Sequence, residues 1–202
     1  MDIALDRPGL LRTRDKFSSL VANTTLTSPY LVSWGTTGFL ACTAASIKMY
    51  SPGGAAVGTA VAPNQYYSWS AQPIGTASAS YLYLADYSNA NAVRRLTTAA
   101  VISAPANMPV CAYLGRTPTD NRLVAANIAT IPTGASSTAS GSLVHFSDAG
   151  TPETWGANNW VLLDPGDGES ITGTAVWGNE LYVFKKTKYF IFSGTSTDSS
   201  GN

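Results

Sequence analysis

The feature that most constrains the fold of this chain is a pair of short apolar runs, separated by a polar turn, that recurs along the sequence. The first run of each pair begins at Leu40, Leu82, Leu123 or Leu181, which gives steps of 42, 41 and 58 residues. Most of the surplus in the last step lies in the low-complexity segment 131–141, whose composition is typical of a surface loop. A period near 42 residues with hairpin content predicts an all-β fold, namely a β-propeller or partial propeller of about four blade-like units.

The apolar runs have the length and residue types of β-strands, and no window sustains a helical period. The predicted strands are Tyr30–Trp34, Gly38–Ala44, Ser46–Tyr50, Gln65–Ser70, Tyr81–Ala85, Val93–Leu96, Cys111–Leu114, Arg122–Ala126, Ser142–Ser147, Ile171–Val176, Glu180–Phe184 and Tyr189–Phe192. Residues 1–16 are expected to form an N-terminal docking segment. Residues 17–202 are expected to form the propeller-like domain, with its series of units incomplete at the C-terminal end.

The charge of the chain limits its partners. Twelve basic and twelve acidic residues cancel, and charged residues make up only 12% of the sequence, about half the usual share. Without a net field we expect no nucleic-acid partner, and without a long apolar window we expect no membrane insertion. Abundant small polar residues with few charges indicate a surface that is buried in an assembly or exposed outside cells.

The densest acidic cluster contains Asp164, Asp167 and Glu169 on a Gly-rich segment. Calcium prefers several oxygen ligands on a flexible backbone, although the EF-hand pattern is absent. The alternatives are a double turn whose Asp side chains bond the local backbone, and a site for acid–base chemistry. We therefore predict no cofactor, with Ca²⁺ on this loop as the alternative.

Two tryptophans, Trp155 and Trp160, bracket a polar segment that is predicted to be a loop. Aromatic side chains stack on sugars, but they also fill cores and interfaces. Among the five tryptophans, these two are the candidates for contact with a carbohydrate or a host surface.

Three further features argue against catalysis. His145 is the only histidine, so a multi-histidine metal site is excluded, and no nucleophile motif accompanies it. Cys42 and Cys111 lie 69 residues apart, outside metal-ligand spacing; they are expected to be buried thiols, with a disulfide as the alternative.

The lysines of segment 185–188 are expected to form a hairpin turn and to protect a strand edge. We predict that the protein is not an enzyme.

The third and fourth units carry a more specific pattern. It comprises Asn121–Ala126, Leu143–Gly150, Pro152–Trp155, Asp164–Glu169, Leu181–Lys185 and Tyr189–Gly194. This pattern resembles the β-propeller structural proteins of tailed bacteriophages, of the minor tail protein, tail nozzle or head–tail stabilisation type. The resemblance covers residues 121–194 and transfers no catalytic residues.

The resemblance implies a structural virion protein of the phage tail or tail tip. Its implied partners are other tail proteins and copies of itself, and a host-surface glycan is a further expected contact. The alternative is a carbohydrate-binding, lectin-like propeller module that uses Trp155 or Trp160. A glycan hydrolase is a third reading, but it requires paired carboxylates across a cleft, and the sequence identifies no convincing pair.

Overall fold

A computed structural model describes the backbone of seven N-terminal strand segments, at 3–7, 10–13, 31–34, 38–42, 47–50, 56–61 and 69–71. It describes side chains as well for residues 72–75, 79–87, 89–97, 101–135 and 139–194, and the backbone alone for residues 137–138. The structural statements below concern these residues.

The described chain is all-β and consists of antiparallel strands in sequential order. The strands are β1 (Ile3–Arg7), β2 (Leu10–Thr13), β3 (Leu31–Trp34), β4 (Gly38–Cys42), β5 (Ile47–Tyr50), β6 (Ala56–Val61), β7 (Trp69–Gly75), β8 (Ser80–Asp86), β9 (Arg94–Thr97), β10 (Ile102–Ser103), β11 (Cys111–Arg116), β12 (Leu123–Ile128), β13 (Leu143–Asp148), β14 (Thr151–Leu162), β15 (Gly173–Trp177), β16 (Glu180–Phe184) and β17 (Tyr189–Ser193). A short 3-10 helix at Ser137–Ser142 precedes β13.

These strands form five sheets, each of which follows chain order. Strands β1 and β2 form a hairpin, and β3–β6, β7–β10 and β11–β14 each form a four-stranded meander. Strands β15–β17 form a three-stranded meander. The four leucines that define the sequence period, Leu40, Leu82, Leu123 and Leu181, lie in β4, β8, β12 and β16. The sequence repeat therefore marks the second strand of each successive sheet.

The last three sheets are stacked, with β11–β14 in the middle. One face of β11–β14 shares a core with β7–β10, formed by Ile74, Tyr83, Ala85, Val93, Met108, Cys111, Leu114, Leu123, Ala125, Ile128 and Leu143. Its opposite face shares a second core with β15–β17, formed by Val124, Ala126, Val144, Leu163, Ile171, Leu181 and Val183. The first strands of the three sheets also contact one another, since β11 touches both β7 and β15.

The middle sheet is covered on both faces because β12 is apolar at successive positions. Alternate residues of β12 point to opposite faces, and five of its six residues are buried. Such a continuous apolar run is typical of a strand with packing on both sides. The predicted hairpins around Leu82, Leu123 and Leu181 are confirmed by the pairings of β8 with β9, β12 with β13 and β16 with β17.

Two predicted boundaries were wrong. Residues 151–162, expected to be part of a loop, form the twelve-residue edge strand β14, whose pairing with β13 shifts register twice. These irregularities break the alternation by which a strand is recognised. Strand β7 continues to Gly75, beyond the predicted end at Ser70, whereas the predicted start at residues 65–68 lies outside the described part.

The remaining expectations about architecture are met only in part. Among the described strands the stack of sheets is open and no ring closes, so the propeller itself stays a prediction. Residues 1–16 contain the β1–β2 hairpin. Their side chains lie outside the described residues, and their docking role stays a prediction.

Candidate functional site

The acidic loop at residues 164–169 lies against the β16–β17 turn, and one lysine joins them. Lys185 Nζ donates hydrogen bonds to both carboxylate oxygens of Asp167, at 2.9 and 2.8 Å. The same ammonium donates to the Asp164 carbonyl and to Ser142 Oγ, each at 2.9 Å. The Lys185 side chain has no exposed surface, and its charge is therefore held by an anion and by neutral oxygens.

Two further contacts complete this arrangement, which we call the lysine clasp (Ser142, Asp164, Asp167, Glu169, Lys185, Thr187 and Lys188). Lys188 Nζ forms ion pairs with the carboxylates of Asp164 and Asp167. Glu169 accepts hydrogen bonds from the backbone N–H and hydroxyl of Thr187, at 3.2 and 3.1 Å. The turn thus touches all three carboxylates of the acidic loop.

The electrostatics follow from these contacts. Hydrogen bonds from Lys185, then from the Glu169 backbone N–H, lower the pKa of Asp167 to about 2. The Asp164 and Asp167 carboxylates raise the pKa of Lys188. The loop and the turn are therefore both charged at neutral pH, and each neutralises the other.

The clasp bears on the calcium alternative for Asp164, Asp167 and Glu169. An ammonium group occupies the position between the first two carboxylates where a cation would be attracted. Over the part of the chain with described side chains, no three His, Cys, Asp or Glu residues are grouped as metal ligands. Calcium binding gains no support from this geometry and stays a prediction. Segment 185–188 forms the predicted hairpin turn between β16 and β17, but the buried Lys185 does not protect a strand edge.

Trp155 and Trp160 lie in strand β14, not in a loop. Both are half-buried and pack against the core between β7–β10 and β11–β14. Trp160 pairs with His145 across the sheet, and the Trp155 and His145 rings meet edge to face with centroids 5.1 Å apart. Their position favours packing over contact with a sugar or a host surface, and that contact stays a prediction.

His145 is buried beneath these indoles, with 6% of its surface exposed. Its Nε2 lies 2.9 Å from the Gly156 carbonyl oxygen, an acceptor, so Nε2 carries the proton. Burial lowers the pKa of the imidazole. Among the described residues His145 Nδ1 and the two indole nitrogens have no hydrogen-bond partner.

Of the two cysteines, Cys111 is a free, buried thiol in β11. Burial raises its pKa to about 12, which makes the reactive thiolate scarce at neutral pH. The side chain of Cys42 lies outside the described residues.

A cavity of about 350 Å³ opens where the first strands of the three stacked sheets end. It is lined by Gln72, Pro73, Ile74, Gly75, Ser80, Arg116 and Val176. Arg116 is its only charged lining residue, and none of the predicted site residues reaches it. Nothing in this lining provides a pair of carboxylates for hydrolysis.

The sequence reasoning missed an aromatic surface on the last sheet. We call it the outer face, and its three cross-strand rows are Gly173–Phe184–Tyr189, Ala175–Tyr182–Ile191 and Trp177–Glu180–Ser193. Trp177 is 79% exposed and Tyr189 is 60% exposed. Tyr182 lies at the centre, with ring centroids 6.1–6.4 Å from those of Trp177, Phe184 and Tyr189. The sequence did contain an indication of this surface, because the residues on both faces of β16 and β17 are apolar.

Comparison of the chain with protein-family models, with curated proteins and with solved structures gives no significant match. In the portion of the chain that the structure describes, no helix has the length and apolar character needed to cross a bilayer.

Proposed function

We propose that this chain is a structural component of a bacteriophage virion, in the tail or tail tip, where it acts as an assembly platform. Its fold would be a β-propeller or part of one, built from the meander sheets as blades. The observation that carries the proposal is the stack of similar sheets that contact one another through their first strands. Propeller blades are four-stranded sheets arranged radially around a channel, and β7, β11 and β15 would line that channel.

The residues that carry the phage resemblance support a mechanical role, because several of them tie one sheet to the next. Glu153, from the Pro152–Trp155 segment, accepts hydrogen bonds from Tyr83 of β8 at 2.9 Å and Arg95 of β9 at 2.7 Å. Strand β14 is thereby fastened to the neighbouring sheet.

The other motif residues make the equivalent connection on the opposite side. The acidic loop follows β14 of the middle sheet, and Lys185 directly follows β16 of the last sheet. The lysine clasp therefore links the exit of one sheet to the hairpin turn of the next. In a scaffold, polar residues of this kind hold neighbouring sheets together. In an enzyme, such groups would remain free to contact the substrate.

The partners expected under this proposal are other tail proteins and further copies of the chain, and the site of action is the virion. The lectin-like alternative depends on Trp155 and Trp160. Since both pack against the core, that alternative gains no support from the structure.

Deletion of the coding sequence from the phage genome, followed by electron microscopy of the particles, tests the proposed function. We expect particles with absent or malformed tails and a loss of infectivity that is restored by the chain supplied in trans. A version with Lys185→Met serves as a structural control, since weakening the clasp should reduce rescue. Normal, infectious particles without the protein would contradict the proposal.

A further inference from the structure

The outer face of β15–β17 is an apolar sheet face whose opposite side is already packed. Leu181 and Val183 point toward the middle sheet and are fully buried there. Their neighbours along β16, Tyr182 and Phe184, point the other way. Among the residues with described side chains, the middle sheet is covered on both faces, whereas the last sheet is covered on one.

The outer face exposes several large apolar side chains next to one another. From their exposed fractions of 79%, 60% and 37%, Trp177, Tyr189 and Phe184 together present about 400 Å² of aromatic surface. Ile191, 47% exposed, adds to it. The largest apolar patch of a typical monomer is of this size, about 300–600 Å², and is often functional. The face has one charged residue, Glu180, and that carboxylate accepts a 2.7 Å hydrogen bond from Tyr182.

The shape of the outer face is complementary to itself. Trp177 projects at one end of β15, while the small residues Ala175 and Gly173 occupy the centre and the other end. A Cβ atom added at Gly173 would have no neighbouring atom within 4 Å, so the space above this glycine is open. Trp177 and Gly173 are four residues apart, about 13 Å along the strand.

A two-fold axis that lies in the gap between the two sheets, perpendicular to the strands and passing near Ala175, would place each Trp177 over the open space at Gly173 of the other copy. Such reciprocity is what an isologous contact requires. Two sheets packed in this way lie about 10 Å apart with interdigitated side chains. The contact continues the face-to-face stacking that already joins β7–β10, β11–β14 and β15–β17.

We propose that the outer face is a self-association surface, and that its occupant is the same face of a second copy of this chain. The two faces would bury about 800–1,000 Å², below the size of most stable complexes. The homodimer is therefore weak and concentration-dependent. This inference applies to the open stack of described sheets, because a propeller ring that closed within one chain would bury the outer face against another blade.

Sedimentation of the 202-residue chain over a concentration series tests the proposal. We expect a reversible monomer–dimer equilibrium, weakened at least tenfold by Gly173→Leu, which fills the open space, and by Trp177→Ala, which removes the projecting ring. Gly173→Leu adds a side chain where the monomer has open space, so it should weaken the dimer without disturbing the fold of the monomer. Circular dichroism of the variant checks that its fold is unchanged.

Two matched controls lie away from the outer face. Val101→Ala removes another exposed apolar side chain, and Gly166→Leu adds one at a loop glycine with open surroundings. Both should dimerise as the wild type does.

Four results would overturn the proposal: a monomer at all concentrations, a dimer unaffected by both outer-face variants, open-ended growth beyond a dimer, or a monomer that binds glycans through Trp177. Hydroxyl-radical footprinting adds a fifth. Protection of Trp177 in the dilute monomer would show that a segment of the same chain covers the face.

Discussion

Lys185 shows how much of the site depends on a single residue. Its ammonium group is enclosed by Asp167, the Asp164 carbonyl and Ser142, so one buried charge joins the acidic loop to the segment that precedes β13. Breaking a buried ion pair costs more than forming it contributes, because one charge is left uncompensated. The clasp is thus a strong constraint on the relative position of loop and turn.

Replacing Lys185 by Met should destabilise the protein by about 2–4 kcal/mol, since Met fills similar volume but leaves Asp167 without its main donor. The free energy of unfolding, from urea denaturation, provides the measurement. Lys186→Met is the matched control, because Lys186 is exposed and its loss should change stability by about 0.5 kcal/mol or less. Equal effects of the two substitutions would show that the clasp contributes nothing.

The pKa of Asp167 predicts an acid transition. Its folded-state pKa is lowered to about 2, below the unfolded value of about 3.9. The unfolded state therefore binds the proton more readily, and stability present above about pH 4 is lost as the pH falls toward 2.

Thermal midpoints measured from pH 5 to pH 2 should therefore fall, and Asp167→Asn should flatten the part of the decline that this carboxyl causes. The same substitution lowers the midpoint at neutral pH, because the buried Lys185 loses its counter-ion. An Asp167→Asn variant with the full wild-type pH dependence would disprove the assignment.

Sequence reasoning found the two halves of the clasp but did not join them. Asp167 and Lys185 are 18 residues apart, and only the packing of β15–β17 on the middle sheet brings them together. Each segment can be explained by itself, the acidic one as a turn and the lysine-rich one as a protected strand edge. Neither explanation requires contact with the other segment. Tertiary pairing of this kind leaves no periodic signal.

At the scale of elements, the predictable strands were those with apolar alternation. Strands β8, β12 and β16 were all located because their buried residues recur in the sequence. Strand β14 was missed because it combines polar residues with two register shifts at the sheet edge. Tyrosine and arginine partners for Glu153 were likewise invisible, since they belong to another sheet.

The approach of β11 to the last sheet provides a test of sheet stacking. A Cβ atom at Gly115 would lie 3.0 Å from Leu181 Cδ1 and 3.2 Å from Thr174 Oγ1. Gly115→Val should therefore destabilise the protein by about 1–3 kcal/mol through overpacking, although Val favours strands.

Thermal or urea unfolding measures this change, and Gly166→Val is the control because no atom lies near its added Cβ. A stabilised Gly115→Val variant would mean that strand propensity outweighs the close contact, and that the two sheets are less tightly packed than their side chains indicate.

For the whole molecule, the stacking of similar sheets implies a gradient of stability. In repetitive architectures each unit is stabilised mainly by its neighbours. The middle sheet has a neighbour on both faces, with Leu123 and Val124 both fully buried on opposite sides of β12. The last sheet has one such neighbour within the described part of the chain, and the residues of β17 alternate between exposed and half-buried.

Amide hydrogen exchange should therefore be slower in β12 and β13 than in β17, by about 2 kcal/mol of opening free energy or roughly thirtyfold in rate. Both β12 and β17 have antiparallel partners, so this difference reports packing rather than the mere presence of hydrogen bonds. The experiment belongs at low protein concentration, since self-association through the outer face would slow exchange in β17 as the concentration rises. Equal protection of β12 and β17 in dilute monomer would show that the sheets unfold as one cooperative unit. The predicted gradient of stability would then be wrong, because the sheet at the open side of the stack would be as stable as the middle sheet.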